Sequence, residues 1–191
     1  MADKSEEVKG KIPPQNLDAE KSLLGAVLID EEVLADAAEI THPSDFYDKN
    51  HGLIFAGMMR LFEKHKPVDL LTLTDELKRK DELELVGGSA YLTELTNYVP
   101  TAAHASAYAE MIAQAAVRRR LIKASGDISE LGYDESTTTQ ELLEKAEAEL
   151  FSVSDQSTKQ DLVSLESILT DSFDRIEELS KNKGSLRGVR T

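Results

Sequence analysis

The sequence contains no cysteine and no tryptophan, and aromatic residues make up only 5% of it. The absence of cysteine excludes a disulfide framework and a zinc site built on thiolates. No apolar run is long enough to predict a membrane span, and the N-terminal "MADKSEEVKGKIPPQ" lacks the apolar stretch of a secretory signal. We therefore expect a cytoplasmic protein.

Basic residues are also scarce, because 22 Lys and Arg stand against 36 Asp and Glu, which gives a net charge of −14. A negative field of this size repels nucleic-acid phosphates. The composition therefore predicts that this chain has no strong direct contact with DNA.

The residues that are abundant are mostly strong helix formers, and apolar positions recur with helical spacing. The pattern predicts an all-α protein with a compact bundle of small helices, a protruding helical hairpin and a separate amphipathic linker helix. We divide the chain into an N-terminal arm (1–12), the bundle (13–100), a long helix with the hairpin (101–153), a flexible linker (154–163), the linker helix (164–182) and a hinge toward a further domain (183–191).

Several local signals place the helices of the bundle. Asn16 is a candidate N-cap for the first helix, whose inner face we expect to carry Leu17, Leu24 and Leu28. A later helix opens at Thr72, with Asp75 three residues on in the position of a capping box. In "HGLIFAGMMRLFEKH" the predicted inner face carries Ile54, Met58, Leu61 and Phe62.

The long helix from residue 101 to about 131 is predicted to extend beyond the bundle, since its length exceeds what a small bundle covers. One stripe on it consists of Val117, Leu121, Ala124, Ile128 and Leu131. After a capping box of Thr138 and Glu141, the next helix repeats that spacing with Leu143, Ala146, Leu150 and Val153, which predicts that the two close into a hairpin. A second stripe of Tyr108, Met111, Ala115 and Ile122 stays free for a second copy of the chain.

The linker helix carries an apolar stripe that has no partner nearby in the sequence. A helix of this length is marginal in water unless the stripe is buried, so we expect it to dock on another domain or subunit; the alternative is that it folds back on its own bundle. The docking residues are Leu165, Ile168, Leu169, Phe173, Ile176 and Leu179.

No motif in the sequence predicts catalysis, a cofactor or a metal. A GxxxxGK[ST] loop is absent, and Glu39 with His42 is an isolated pair where a di-iron site needs further ligands. His51, His65 and His104 lack metal-ligand spacing and are interpreted as surface or helix-end residues. The run Arg118 to Arg120 fans out around its helix and is interpreted as a solvated face with ion pairs.

Five segments carry a resemblance to a known family. They are "IPPQNLDAEKSLLGAVLID", "DFYDKNHGLIFAGMMRL", "PVDLLTLTDEL", "VGGSAYLTELTNYVPTAAHASAYAEMI" and "RRRLI". In order and spacing they resemble the N-terminal region of the bacterial replicative DNA helicases, the DnaB family. The resemblance covers about residues 11 to 191 and weakens to a similar pattern after residue 122.

The resemblance implies that the whole protein is an ATP-driven helicase of six subunits around one DNA strand. The hairpins would pair subunits into a collar that recruits primase, with a helicase loader as a further partner. ATP and magnesium would bind only in a RecA-like domain that follows this segment, and the linker helix would dock on that domain of a neighbouring subunit. The positions that match the family's primase contact are Tyr91, Ile122 and Ile128.

A different class of function stays open, which is a stand-alone helical adaptor that uses the same hairpin as a protein-docking module. A reading frame that continues past Thr191 into a phosphate-binding loop would exclude the adaptor.

Overall fold

The computed structural model describes residues 12–134 and 136–158, and within them the protein is entirely helical, which confirms the predicted all-α class. The helices are α1 (Leu17–Ile29), α2 (Val33–Ile40), α3 (Lys49–Glu63), α4 (Leu70–Arg79), α5 (Gly88–Thr96), α6 (Ala105–Leu131) and α7 (Thr139–Thr158), with a short 3₁₀ turn at Pro43–Asp45. No helix in this part of the chain is both long and apolar enough to cross a membrane.

Several helices begin where a side chain satisfies the free N–H groups of the first turn. Asn16 caps α1 as predicted, because its side-chain oxygen accepts a hydrogen bond from the Ala19 N–H at 3.1 Å. The predicted cap of α4 was wrong: the helix begins earlier, at Leu70, with a capping box between Asp69 and Thr72. Aspartate is a better N-cap than threonine, which explains the earlier start.

Helix α1 lies at the centre of the bundle and packs against α2, α3, α5 and α6. Because neighbours surround it, its burial is not confined to one face: Leu23, Leu24, Ala26 and Val27 all have 0% exposure. The predicted inner residue Leu17 is instead 38% exposed, at the helix start. Contacts with four neighbouring helices bury α1 in more than one direction, so a single apolar stripe does not describe its burial.

Helix α3 follows the predicted face more closely. Ile54, Met58 and Leu61 are buried in the core, whereas Phe62 is 44% exposed. The core is completed by Phe55 of the same helix and by buried side chains of the neighbouring helices, which are Leu34, Leu73, Leu77, Leu92, Leu95 and Ile112.

Two glycines mark places where the backbone has special requirements. A Cβ on Gly25 would lie 2.3 Å from the Leu95 carbonyl oxygen, so α1 and α5 approach as closely as they do only with glycine there. Gly87, just before α5, has φ +94°, a conformation that glycine adopts without steric cost. The Gly87-Gly88 turn predicted from the sequence is therefore present.

Helix α6 belongs to both the bundle and the hairpin. Its first half contributes Ala109, Ile112 and Ala116 to the buried interior, and its second half leads to α7. The capping box predicted for α7 is present, since Thr138 and Glu141 exchange side-chain and backbone hydrogen bonds at 3.2 and 3.4 Å. Helix α7 continues to Thr158 and so extends into the linker predicted from residue 154. The linker helix, its six docking residues and the hinge lie outside the described residues.

Candidate protein-interaction surface

The α6–α7 hairpin closes along a seam of small and half-buried side chains. Ala124 on α6 and Val153 on α7 are only 3% and 7% exposed. Asp127 and Glu130 on α6 line the same cleft as Lys145 and Glu149 on α7, which shows that the two helices run side by side. The predicted antiparallel hairpin is thus present.

The seam of the hairpin is only partly the predicted one. Ala146 is half-buried as expected, but Leu143 and Leu150, which were also expected in the seam, are 62% and 52% exposed, and Leu142 is half-buried instead. Leu121, expected in the α6 seam, is 45% exposed. Leu142 replaces Leu143 because two adjacent leucines leave two possible helical phases, and the packed backbone selects one.

The consequence is that both arms of the hairpin present large apolar side chains to solvent. Single exposed leucines are ordinary in proteins, but a group of them on a projecting hairpin is typical of a protein-interaction surface. We call this set the hairpin surface, and it consists of Leu121, Ile122, Leu143, Leu150 and Phe151.

The root of the hairpin is fixed to the bundle by two arginines. Arg119 donates hydrogen bonds to the Pro14 carbonyl at 2.8 Å and to the Asp45 carbonyl at 2.5 Å. Its guanidinium also lies over the Tyr47 ring, 5.7 Å from the centroid. Arg120 forms an ion pair with the Asp45 carboxylate at 2.5 Å, and Asp45 is 6% exposed. Burial lowers the pKa of Arg119, partly offset by the nearby carboxylates of Glu20 and Asp45.

These contacts correct the interpretation of the arginine run as a solvated face. Only Arg118 is exposed, while Arg119 and Arg120 are half-buried. The three side chains do fan out around the helix, but α6 contacts the bundle at this point on the two sides that carry Arg119 and Arg120.

A buried polar network connects three helices beneath Tyr91. His51 on α3 is 1% exposed, and its Nδ1 lies 2.7 Å from the Glu20 Oε2 of α1, which is also 1% exposed. Its Nε2 lies 2.7 Å from the Tyr91 hydroxyl of α5. Glu20 in turn accepts hydrogen bonds from the backbone N–H groups of Tyr47 at 2.6 Å and Asp48 at 3.3 Å.

His51 was interpreted as a surface or helix-end residue: it does lie in the first turn of α3, but it is buried and not on the surface. The sequence did hold a signal, because His51 precedes the buried Ile54 and Phe55 by three and four residues and so shares their face of α3. A histidine on a buried face needs hydrogen-bond partners. Glu20, on the buried central helix, was not singled out at all.

Tyr91 itself is half-buried, with its ring packed against the core. Burial raises the pKa of its hydroxyl to about 12, and the negative charges of Asp48, Glu94 and Glu20 add to that shift. The phenol is consequently uncharged at neutral pH, and negatively charged side chains lie near it.

The three residues matched to a primase contact differ in location and in exposure. Tyr91 lies on α5 in the bundle, Ile122 is 58% exposed on α6, and Ile128 is half-buried on α6. Ile122 and Ile128 are about 9 Å apart along the helix and roughly a third of a turn apart around it. Of the second α6 stripe, Tyr108 and Ala115 are half-buried, whereas Met111 is 47% exposed.

Within residues 12–134 and 136–158, no group of three or more His, Asp or Glu side chains could hold a metal ion. The polar networks that the described region does contain join helices to one another. The described residues thus form an all-α domain whose hairpin carries exposed apolar side chains.

Residues 12–114 match the family model of the DnaB-like helicase N terminal domain. The chain is 36% identical over 181 residues to the replicative DNA helicase DnaC of Bacillus subtilis strain 168, covering 95% of this chain and 40% of the relative. It is 38% identical over 187 residues to the replicative DNA helicase DnaB of Geobacillus stearothermophilus, covering 98% and 41%. The match extends over more than half of the chain, and the chain belongs to the family of DnaB-like helicase N-terminal domains.

Solved structures agree with this assignment. The N-terminal domain of the DnaB helicase from Mycobacterium tuberculosis is similar with a TM-score of 0.71 and 36% identity, covering 74% of this chain and 99% of that one. A DnaB-like replicative helicase, described with its interactions with primase, shares the fold with a TM-score of 0.67 and 23% identity, covering 92% and 39%. The chain spans about two-fifths of the length of the replicative helicases it matches.

Proposed function

We propose that this domain forms part of the N-terminal collar of a cytoplasmic replicative DNA helicase, where it pairs subunits and recruits primase or a helicase loader. The observation that carries the proposal is the hairpin surface, which leaves five large apolar side chains exposed on a projecting element. Burial of such a surface against a second copy or another protein is favourable at about 25 cal/mol per Å².

The charge of the chain supports a protein partner over DNA. A net charge of −14 opposes the approach of the phosphate backbone of nucleic acids. In the proposed assembly the motor activity, with its ATP and magnesium, belongs to a separate ATPase domain. The stripe of Leu165, Ile168, Leu169, Phe173, Ile176 and Leu179 would dock there.

Primase recruitment is proposed for Tyr91, Ile122 and Ile128. The support comes from the family, from the likeness to a helicase described with its interactions with primase, and from the exposure of Ile122. Ile122 is also part of the hairpin surface, so subunit pairing and primase binding would share or compete for this side chain.

The experiment compares Ile122→Asp with Gln114→Asp in the 191-residue chain. Both substitutions add one negative charge on α6, and Gln114 is exposed beside the bundle, away from the hairpin. Sedimentation equilibrium and a primase-binding titration should show at least one interaction weakened by tenfold or more in Ile122→Asp and neither in Gln114→Asp, since a charge placed in an apolar contact costs about 1–3 kcal/mol or more. If Ile122→Asp leaves both unchanged, the surface is wrongly placed.

A further inference from the structure

A buried side chain, His51, orients the hydroxyl group of Tyr91. Its oxygen lies 2.7 Å from His51 Nε2, and the two rings are nearly parallel, with 3° between their planes. His51 is fixed in turn by Glu20, because both are almost fully buried and their side chains are 2.7 Å apart. The direction of these two hydrogen bonds decides whether the Tyr91 hydroxyl acts as a donor or as an acceptor toward a partner.

The backbone sets that direction. Both oxygens of Glu20 accept hydrogen bonds from N–H groups, Oε1 from Tyr47 and Oε2 from Asp48. The carboxylate is therefore an acceptor, and His51 Nδ1 must carry the ring proton that it donates to Glu20. In that tautomer Nε2 has a free lone pair, so the Tyr91 hydroxyl donates its proton inward to His51.

We propose that the buried Glu20–His51 pair makes the Tyr91 hydroxyl a hydrogen-bond acceptor toward the partner, and that it thereby selects a cationic donor, lysine or arginine, on the protein bound at this surface. The inference rests on the proposed function of Tyr91 in partner binding. Glu20 and His51 are positioning residues in it, since they act through Tyr91.

Two further features favour a cationic donor over a neutral one. Asp48, Glu94 and Glu20 raise the pKa of Tyr91 by their charge, so the hydroxyl lies in a negative local field. The same field attracts a positive group, and a hydrogen bond from a charged donor is roughly twice as strong as a neutral one. A partner that places only a carboxylate or a carbonyl here gains no hydrogen bond, because the Tyr91 hydroxyl already donates its proton to His51.

The tautomer is tested directly by NMR of the 191-residue chain with ¹⁵N-labelled histidine, with the His51 signals assigned by their loss in His51→Gln. We expect Nδ1 to be protonated and Nε2 to be unprotonated at neutral pH. A protonated Nε2 would overturn the inference, because Tyr91 would then accept from His51 and present its own proton outward.

The consequence for binding is tested with Tyr91→Phe, which removes the acceptor and keeps the ring. Tyr98→Phe is the matched control, since the Tyr98 hydroxyl donates to Asp18 at 2.7 Å and its removal leaves His51 untouched. Primase affinity should fall about tenfold in Tyr91→Phe and not in Tyr98→Phe. The ratio of wild-type to Tyr91→Phe affinity should shrink when salt is raised from about 0.05 M to about 0.5 M, because salt screens the field around a charged donor.

The outcomes separate the two proposals. If Tyr91→Phe and Tyr91→Ala both bind primase normally while the tautomer is as expected, the proposed function of Tyr91 fails and the inference fails with it. If Tyr91→Ala weakens binding but Tyr91→Phe does not, the proposed function stands and the acceptor role is overturned. Equal losses in Tyr98→Phe, or a ratio that does not change with salt, would overturn the selection of a cationic donor.

Discussion

Arg120 of α6 and Asp45 of the 3₁₀ turn form an ion pair of 2.5 Å at the root of the hairpin. Asp45 also closes that turn, because its carboxylate accepts a hydrogen bond from the His42 N–H at 2.9 Å. The same aspartate thus holds both a local turn and a helix that lies 75 residues further along the chain.

We predict that Arg120→Ala lowers the free energy of unfolding by about 1–3 kcal/mol, since it leaves the buried Asp45 carboxylate without its cation. Arg118→Ala is the control, because Arg118 precedes it by two residues and is exposed. That variant should change stability by less than about 0.5 kcal/mol. Urea denaturation of both variants measures the difference, and equal effects would show that the ion pair does not stabilise the fold.

A pair of glycine variants tests the close approach of α1 and α5. Gly25→Ala should destabilise the protein by about 1–3 kcal/mol, because its Cβ would lie 2.3 Å from the Leu95 carbonyl oxygen. Gly126→Ala should instead stabilise it by about 0.5–1 kcal/mol, since a Cβ there meets open space and alanine is the better helix former. Thermal melts of the two variants should shift in opposite directions.

Glu76 gives a prediction for acid stability. It is 1% exposed and accepts a hydrogen bond from Lys64 Nζ at 2.9 Å, with Arg79 and Arg60 also paired to it. The Lys64 hydrogen bond, followed by the charges of Arg79, Lys64 and Arg60, holds the pKa of Glu76 below its usual value of 4.5, although burial opposes this. A lowered pKa in the folded state stabilises the protein above that usual value, and the stabilisation is lost as the pH falls through the folded pKa.

The stability gap between wild type and Glu76→Gln should therefore be largest above about pH 4.5 and should close as the solution is acidified further. Glu63→Gln, at an exposed site on α3, controls for the loss of one negative charge. Urea titrations between pH 2.5 and pH 7 measure the gap. A gap that stays constant with pH would mean that the cluster does not perturb Glu76.

The position of Leu150 outside the hairpin seam is tested by two truncations on α7. Val153→Ala should cost about 1–2 kcal/mol because Val153 is 7% exposed in the seam, whereas Leu150→Ala removes more atoms but from a side chain that is 52% exposed. Leu150→Ala should change the stability of the monomer by less than about 0.5 kcal/mol. A larger loss for Leu150→Ala in a dilute monomer would place Leu150 in the seam, as the sequence predicted.

The features that could be predicted from the sequence are those that depend on neighbouring residues. The Asn16 cap, the Thr138–Glu141 capping box and the glycine turn before α5 each involve residues within four positions of one another. The helical class follows from composition and periodicity in the same way. Such local signals can be recognised without knowledge of the tertiary contacts.

The features that could not be predicted join distant parts of the chain. His51 meets Glu20 across 31 residues and Tyr91 across 40. Periodicity could place His51 on the inner face of α3, but it could not name the carboxylate and the hydroxyl that would meet it there. The hairpin seam was predicted only in part for a related reason, since Leu142 and Leu143 are equally apolar and only the packed arrangement distinguishes them.

Helix α6 runs without interruption from the interior of the bundle to the far end of the hairpin, over 27 residues. About 22 Å of it extends beyond Ala116, the last residue that it buries in the bundle. It therefore acts as a lever arm with its fulcrum at Arg119 and Arg120. A rotation of roughly 5° at the fulcrum would displace the hairpin end by about 1.5 Å, which means that small repacking of the bundle is magnified at the hairpin surface.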